Sequence, residues 1–358
     1  MTDSLNSEES NQMIEYGSDF HRCDHDFRGP SNFCDVLGCT RWYACGRHAI
    51  EVLIRQEGWK RIWMPAYFCY EVIGHVRSVG IEVMLYDDYP TRTDDDEVVR
   101  NLPYQNGDVL LRMNYFGMRK KRTSKGIAVP VIEDHTHGLI TDWALGSDAD
   151  WCVASLRKSL PVAAGGMLWS PKGKQLPGVI CATDECKQMA KIRYEAMTMK
   201  TEYLRYGGDK EAFREKYLDS EERIDRLALS GIDAESMEIT RALNVKQWTD
   251  LKADNWRIAR GLLDERFKVL GSEREDYWQP FSLVLLMESA EERESMRRYM
   301  IQHCVYPAIL WRMPEDSTFT EAKDFADRML SVHCDIRYSR NDIAEICKII
   351  NGYYDTDI

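Results

Sequence analysis

The sequence lacks any long apolar run, which limits where the protein can act. No stretch of its 358 residues approaches the roughly 20 consecutive apolar residues that a membrane-spanning helix needs. The first residues, MTDSLNSEESNQ, are polar and acidic, with neither the basic nor the apolar region of a signal peptide. The sequence therefore predicts a cytoplasmic protein that does not use a membrane.

Basic charge is also scarce in this chain. Lys and Arg number 47 against 59 Asp and Glu, which gives a formal net charge of −12. Nucleic-acid backbones attract basic surfaces, so this balance predicts that nucleic acid is not a partner. The acidic excess is spread along the chain and indicates a soluble surface.

Nucleotide-binding motifs are missing as well. No G-x-G-x-x-G segment follows a predicted strand, which argues against a dinucleotide fold. The stretch SPKGKQ (170–175) has no Walker glycine at the required distance and no Ser or Thr after Lys174, which argues against a P-loop.

Paired short spacings of metal-ligand residues are lacking too. HRCDH (21–25), with Cys34 further on, does not form the paired pattern of a zinc site, so the sequence predicts no metal. The eleven cysteines are odd in number, and Cys69, Cys152 and Cys304 lie in apolar, strand-like runs. We expect reduced and mostly buried thiols rather than disulfides.

What the sequence does contain, from residue 46 onward, is an alternation of short apolar runs with amphipathic segments. The segments that read as strands or helices are GRHAIEVLIRQEG (46–58), RIWMP (61–65), YEVIGHVRSVG (70–80), IEVMLYD (81–87), DVLLRMNYFG (108–117), GIAVPVIED (126–134), DWCVAS (150–155) and GGMLWS (165–170). Strands that alternate with helices predict a mostly parallel sheet covered by helices on both faces.

The pattern changes after about residue 180. Two long charged helices are predicted at 184–206 and 210–229, and a second mixed region follows with strands at 281–288 and 304–311 and a helix at 340–354. We therefore expect an α/β protein with an N-terminal segment (1–40), a three-layer large domain (41–245) and a smaller α+β C-terminal domain (246–358).

Polar residues follow several of the predicted strands. They are Asn114, Glu133, Asp134, Ser155 and Lys158. In a parallel α/β sheet, ligands bind at the carboxyl ends of the strands, so these side chains are candidates for one site. Gly46 adds a helix N-terminus, where backbone N–H groups suit a phosphate.

Lys158 raises the central question, because it follows a buried strand. A long cation in that position reaches solvent, pairs with a carboxylate, or binds a cofactor covalently. Pyridoxal phosphate (PLP) chemistry needs a lysine for a Schiff base, a carboxylate for the pyridine nitrogen and a helix N-terminus for the phosphate. An aromatic or flat side chain covers one face of the ring.

Four stretches resemble the DegT/StrS family of PLP-dependent aminotransferases, which have fold type I of the aspartate aminotransferase superfamily. They are CGRHAI (45–50), IWMPAYFCYEVI (62–73), VIEDHTHG (131–138) and KSLPVAAGG (158–166). Lys158 follows Asp134 by 24 residues and precedes the double glycine by the family's spacing. The resemblance implies the PLP-dependent transferase fold and PLP as the cofactor.

The resemblance also implies roles around the cofactor ring. Lys158 would form the Schiff base and carry the proton shift, and Asp134 would pair with the pyridine nitrogen. His137 would contact the ring or its 3-hydroxyl, and Asn114 would hydrogen-bond the same hydroxyl.

Further roles concern the phosphate and the face of the ring. Gly46 and Arg47 would contact the phosphate mainly through backbone N–H groups, and the Ser155 hydroxyl would bind it as in the wider superfamily. The side chain that lies against the ring is left open among Phe68, Cys69 and Tyr70.

The sequence departs from the family in three places. Val153 stands where sugar aminotransferases carry a serine, and Ala163-Ala164-Gly165-Gly166 stands where they show G-E-G-G or a similar loop. The loop that in the family reaches the neighbouring subunit is absent, and a long helical stretch follows instead. The cofactor site is thus better supported than a sugar-nucleotide site.

The function that follows is transamination from an amino acid donor, glutamate by expectation, to a keto acceptor such as a keto-sugar or small polar ketone. Surface polysaccharide or natural-product biosynthesis is the expected context, and a homodimer is implied by the resemblance. Arg337 is a candidate for a substrate carboxylate or phosphate, with a salt bridge to Asp335 as its alternative. A PLP decarboxylase or aldolase, and a non-catalytic PLP-fold protein, remain open.

Overall fold

The computed structural model describes residues 14–23, 28–29, 32–271 and 280–355. Asp24 and His25 of the HRCDH stretch lie outside these residues. Within the described part of the chain, no helix has both the length and the apolar character needed to span a bilayer.

The described residues contain strands throughout the chain. The strands are β1 (Tyr16–Gly17), β2 (Thr40–Tyr43), β3 (Arg61–Pro65), β4 (Glu82–Tyr86), β5 (Asp108–Met113), β6 (Val131–Asp134), β7 (Trp151–Ser155), β8 (Gly166–Trp169), β9 (Leu283–Leu286), β10 (Val305–Tyr306) and β11 (Met329–Val332).

Helices lie between and after these strands. They are α1 (Phe33–Leu37), α2 (Gly46–Glu57), α3 (Tyr70–Ser78), α4 (Asp95–Arg100), α5 (Asp142–Leu145), α6 (Asp184–Tyr206), α7 (Lys210–Arg226), α8 (Ala234–Ala242), α9 (Val245–Leu262), α10 (Ala290–Gln302), α11 (Thr320–Arg328) and α12 (Arg340–Asn351). Short 3₁₀ turns occur at Tyr115–Gly117, Leu156–Lys158 and Gly352–Asp355.

Seven strands form one sheet in the order β2-β8-β7-β6-β5-β3-β4. The strands from β7 to β4 are parallel to one another, whereas β8 is antiparallel to both β7 and β2. The mostly parallel sheet of the expected α/β fold is therefore confirmed. Strand β2 was not predicted, because a segment of only four residues carries little periodicity.

Both faces of this sheet are buried. Along β5, Val109 and Leu111 pack into one apolar cluster and Leu110 into another on the opposite face. Successive side chains on a strand point to opposite faces, so near-continuous apolar strands such as this one require cover on both sides. Helix α2 supplies part of that cover, since it contacts β7 and β8.

The strand ends place their loops at one edge of the sheet. Helix α2 begins at Gly46 after the extended Cys45 and ends at Gly58, whose φ of 66° closes the helix in the left-handed conformation that glycine favours. The strands β6 and β7 end at Asp134 and Ser155, as expected for segments whose last residues are polar.

The two long charged helices lie where the sequence predicts them. Helix α6 covers 184–206, and α7 covers 210–226 and packs against α6. Thr183 and Asp209 begin these helices, each accepting a hydrogen bond from the first turn.

The C-terminal region has its own small antiparallel sheet of β9 and β11. Helices α9 and α12 pack together beside it. The segment 304–311, predicted as a strand, is mostly irregular: Val305–Tyr306 pairs in parallel with β1, and Ala308 forms an isolated antiparallel bridge with Ser331 of β11. The domain boundaries at 40 and 245 stay predictions.

The thiols are less buried than expected. All eleven are free, and the buried ones are Cys45, Cys152, Cys186, Cys334 and Cys347. The expectation for Cys304 was wrong: it is exposed in the turn before β10, with a φ of 59°. An apolar sequence context does not bury a residue at a turn.

Candidate functional site

A cavity of about 340 Å³ lies at the carboxyl ends of β5, β6 and β7. Its lining includes Met113 from the end of β5, Asp134 from β6, and Ser155 and Lys158 from the end of β7 and the turn that follows it. Gly46 at the start of α2 completes this side. The parallel strand order thus brings together residues that are far apart in sequence.

Lys158 is the last residue of the 3₁₀ turn that follows β7. Its side chain is exposed and lines the cavity. The structure records no hydrogen bond or ion pair for its amine with the other described residues. Of the three outcomes for a cation after a buried strand, pairing with a carboxylate is therefore not observed here.

Asp134 is a buried carboxylate at the end of β6, on the wall of the same cavity. Its Oδ1 accepts a hydrogen bond of 2.8 Å from the backbone N–H of Thr136. Burial raises the pKa of this carboxyl above its usual value, because removal from water disfavours the charged form. A cationic group bound in the cavity would lower this pKa again and stabilise the ionised form of Asp134.

His137 reaches the cavity as part of an aromatic stack. The centroid of its ring lies 4.1 Å from the ring centroid of Phe281 and 5.0 Å from that of Trp311, and the interplanar angles are 23° and 16°. Burial, and then the charge of Lys158, lower the pKa of His137 to about 3, so its ring is neutral at physiological pH. The backbone N–H of Phe116 points at Nδ1 from 3.4 Å.

The first turn of α2 provides the second polar side of the cavity. The Cys45 side chain does not cap the helix; the His48 N–H donates to the Cys45 carbonyl at 3.2 Å, whereas the N–H groups of Gly46 and Arg47 have no recorded acceptor among the described residues and are left to a ligand. Ser155 lies beside Gly46: a Cβ added to Gly46 would be 3.1 Å from the Ser155 Cβ. The Arg47 side chain turns towards α7, where Nη1 donates to Asp225 at 3.0 Å.

Two of the three candidates for the ring face line the cavity. Phe68 is buried and its ring lies 5.7 Å from that of Trp311, and Cys69 precedes α3 with its thiol donating to Glu71 at 3.0 Å. Burial raises the pKa of the Cys69 thiol to about 12. Tyr70 does not line the cavity, since its hydroxyl donates to the Ala66 carbonyl at 3.2 Å.

Asn114 and Arg337 lie away from the cavity lining. Asn114 is buried, and its Nδ2 donates to Thr141 Oγ1 at 2.9 Å, which holds the turns after β5 and β6 together. Arg337 is buried and makes two hydrogen bonds, of 2.9 and 2.8 Å, to the Asp335 carboxylate. The salt bridge given as the alternative for Arg337 is the one observed, because a buried guanidinium needs a local counter-charge.

Several cavity residues were not anticipated from the sequence. Glu221 and Asp225 come from α7, Arg157 from the turn that carries Lys158, and Phe281 and Trp311 from the C-terminal region. The spacing of Glu221 and Asp225 places both on one face of α7, but nothing in the sequence identifies the partner of that face. Tertiary packing supplies this information.

The residues of the cavity fit PLP. Its volume falls within the range of small-molecule pockets, about 300–1,000 Å³. It offers the Lys158 amine, which has no recorded partner in the described part of the chain, the buried carboxylate of Asp134, and the N–H groups at the start of α2. The Nε of Arg157 is also buried without a partner among the described residues.

No protein-family model and no curated protein matches this sequence. Solved structures do: a sugar aminotransferase of Streptococcus pneumoniae in its PMP form shares 13% identity over 93% of this chain and 94% of that one, with a TM-score of 0.62. PseC of Helicobacter pylori, an aminotransferase of pseudoaminic acid biosynthesis, shares 10% over 95% and 99%, with a TM-score of 0.62.

A DegT DnrJ EryC1 StrS aminotransferase from Brucella abortus is similar too, at 13% identity over 90% of this chain and 88% of that one, with a TM-score of 0.59. At such low identities the similarity shows the fold alone. The chain has the fold of these aminotransferases, and the predicted fold type I is confirmed.

Proposed function

We propose that this chain is a PLP-dependent aminotransferase of the DegT/StrS type that moves an amino group from an amino acid donor to a keto acceptor. One observation carries the proposal: Lys158, whose amine has no recorded partner among the described residues, and the buried carboxylate of Asp134 line one cavity. The fold that positions them is shared with solved aminotransferases.

The proposed roles follow from the surroundings of each residue. PLP supplies an electron sink that stabilises negative charge developing on the substrate carbon next to nitrogen. Asp134 would pair with the protonated ring nitrogen, because a cationic partner offsets the cost of burying this carboxylate. The first turn of α2 and Ser155 bind the phosphate. Nζ of Lys158 would hold the cofactor covalently and, once released, would be the group that accepts and returns the proton that transamination moves.

His137 acts as a neutral group in this arrangement. Its stacking with Phe116, Phe281 and Trp311 restricts the plane of the imidazole, and its lowered pKa keeps it from adding a second cation beside Lys158. The apolar rings also exclude water from that wall of the cavity.

We propose glutamate as the donor and a keto-sugar or small polar ketone as the acceptor. The names of two similar solved structures support this choice, as one is a sugar aminotransferase and the other acts in pseudoaminic acid biosynthesis. A homodimer and a cytoplasmic location stay predictions from the sequence, and light scattering of the purified chain tests the first.

The test is the covalent link at Lys158. Protein purified with PLP should absorb visible light, lose that absorbance on adding glutamate, and keep the cofactor after borohydride reduction and denaturation. Lys158→Ala should remain folded but retain no cofactor after the same treatment. Lys120→Ala, which removes an exposed lysine outside the cavity, is the control.

Two results would contradict parts of this proposal. Borohydride-fixed cofactor in Lys158→Ala would refute the role of this lysine. Release of CO₂ or of retro-aldol products, in place of stoichiometric pyridoxamine formation with glutamate, would favour a PLP decarboxylase or aldolase. Bound PLP without turnover of any donor would favour a non-catalytic protein.

A further inference from the structure

Arg157 has an unusual position for a guanidinium group. It precedes Lys158 in the turn after β7, lines the same cavity, and its side chain is only 7% exposed. Arginine is rarely buried unless its charge and its five N–H donors find partners. Its environment therefore indicates what the cavity is built to bind.

The donors of Arg157 are incompletely used. The recorded partner is the Glu221 carboxylate, which accepts from Nη2, while Nε is buried and has no partner among the described residues. Burial, and then the nearby charge of Arg193, lower the pKa of Arg157 from its usual value. Nη1 has no recorded hydrogen bond with the other described residues and is not enclosed as Nε is, so it is the donor that an acceptor in the cavity would reach.

Glu221 is a shared and partly solvated partner. Its Oε1 also accepts from Arg193, which has a second partner in Asp19 at 2.8 Å, and 41% of the Glu221 side chain is exposed. Arg157 and Arg193 keep Glu221 ionised by lowering its pKa to about 2 against the effect of burial. If the Glu221 carboxylate moved away from Arg157, it would retain its ion pair with Arg193 and would be hydrated by solvent on its exposed side.

The uncapped first turn of α2 lies on the same cavity. The N–H groups at Gly46 and Arg47 favour an anion at the positive end of a helix of 12 residues. Arg157 is a second and independent cationic group that lines this space. An oxyanion held there would interact with both.

We propose that Arg157 binds an oxyanion of the ligand, and that Glu221 is the internal competitor that the oxyanion displaces. Two sources share this chemistry: the phosphate of the cofactor and the carboxylate of the amino donor. The identity of these two sources rests on the proposed function. The proposal that Arg157 binds an oxyanion does not depend on that function.

The two residues should respond to substitution in opposite directions. Arg157→Gln removes the cation, so it should weaken binding of the oxyanion by about tenfold or more, the usual worth of a charge-assisted hydrogen bond. Glu221→Gln removes the competing charge and should strengthen the same binding. A purely structural ion pair would instead be damaged by both substitutions.

Titrations of cofactor-free protein identify the source. If the anion is the cofactor phosphate, Arg157→Gln raises the Kd for PLP but not for pyridoxal, and Glu221→Gln lowers the Kd for PLP. If it is the donor carboxylate, PLP binding is unchanged, and the glutamate concentration for half-conversion rises in Arg157→Gln and falls in Glu221→Gln. In that case, conversion of bound PLP to its pyridoxamine form by an alkylamine that lacks a carboxylate should be the same in the wild type and in both variants.

Matched controls come from the exposed face of α7. Glu222 and Arg226 pair with each other there, with side chains 59% and 78% exposed. Glu222→Gln and Arg226→Gln change charge on the same helix and should leave every titration unaltered. If Arg157→Gln does not fold, Glu221→Gln measured against Glu222→Gln decides the question alone.

The inference is overturned if both cavity variants shift binding in the same direction, or if neither differs from the controls. Failure of the wild-type chain to take up PLP would count against the proposed function only. In that case inorganic phosphate is the probe: it should raise the Tm of Glu221→Gln more than that of the wild type, and that of Arg157→Gln least. Equal shifts in all three would refute the oxyanion site.

Discussion

At the scale of single residues, the cavity is lined by polar groups that have few hydrogen-bond or ion-pair partners among the described residues. Lys158 presents an amine with no recorded partner among the described residues, and Asp134 is a buried carboxylate with one recorded hydrogen bond. Buried polar groups are normally paired, so the buried carboxylate of Asp134 is a candidate functional group, and the exposed amine of Lys158 on the same cavity strengthens that interpretation. In contrast, Arg337 was a candidate from sequence, and its pairing with Asp335 satisfies it internally.

Asp134 leads to a prediction about stability. Its raised pKa means that the folded state holds the proton more tightly than the unfolded state, so its contribution to stability is full below about pH 4 and is lost as pH rises through the folded pKa. At pH 7 the group therefore destabilises the cofactor-free protein. Asp134→Asn should raise the free energy of unfolding of that form by about 1 kcal/mol.

Thermal denaturation with and without PLP checks this expectation. The same variant should show a smaller increase in Tm on adding PLP, because the ring nitrogen loses its carboxylate. Asp254→Asn, in an exposed pair with Arg257, is the control. A lower Tm for cofactor-free Asp134→Asn would contradict the account.

At the scale of elements, close backbone contact positions the start of α2. Gly166 in β8 pairs with Tyr43 of β2, and a Cβ built on Gly166 would lie 2.0 Å from the carbonyl oxygen of Cys45. No side chain fits at that distance without moving the backbone. The second glycine of KSLPVAAGG therefore sets how closely the N-terminus of α2 approaches β8.

Gly166→Ala should thus displace the first turn of α2. We expect a loss of about 1–3 kcal/mol in the free energy of unfolding, as for other overpacked sites, together with weaker PLP binding. Gly74→Ala is the matched control, because Gly74 lies inside α3 with nothing within 4 Å of its added Cβ and should stabilise the protein by about 0.5–1 kcal/mol. Urea unfolding measures both, and equal effects would refute the role of Gly166.

At the scale of the whole molecule, distant segments complete the structure. Phe281 and Trp311 of the C-terminal region form a wall of a cavity built by the large sheet. The segment 14–23 is held to the core, where Arg337 donates to the Ser18 carbonyl at 2.9 Å and Lys200 to the Gly17 carbonyl at 3.0 Å. These contacts place two buried cations beside neutral histidines.

Those histidines predict sensitivity to acid. Burial, and then the charge of Arg337, lower the pKa of His21 to about 3 and of His333 to about 4. Both are neutral in the folded state, so their contribution is full above about pH 6.5 and is lost as pH falls towards their folded pKa values. Each should reduce the free energy of unfolding by about 1.4 kcal/mol per pH unit in that range.

Urea unfolding between pH 7 and pH 5 measures this slope. His21→Leu should make the dependence shallower, because one proton-linked group is removed. His303→Gln, which changes an exposed histidine, should leave it unaltered. An identical slope in His21→Leu and the wild type would contradict the prediction.

Much of the fold followed from local pattern. The helix predicted at 184–206 matches α6 residue for residue, and β3 lies at 61–65 as predicted. Periodicity, caps and strand-ending polar residues depend only on neighbouring residues, so one sequence is enough to recognise them. The weaker prediction at 304–311 had only apolar composition behind it, and most of that segment is irregular.

By itself, the sequence determined the strand–helix alternation, and with it the edge where Asp134, Ser155, Lys158 and the start of α2 converge. That convergence follows from the rule that parallel strands end on one side of the sheet. Only the tertiary structure decided that α7 places Glu221 beside Arg157, that Phe281 stacks on His137, and that Asn114 and Arg337 are satisfied elsewhere. Such pairings depend on which surfaces pack together, and packing between distant segments leaves no periodic signal in a single chain.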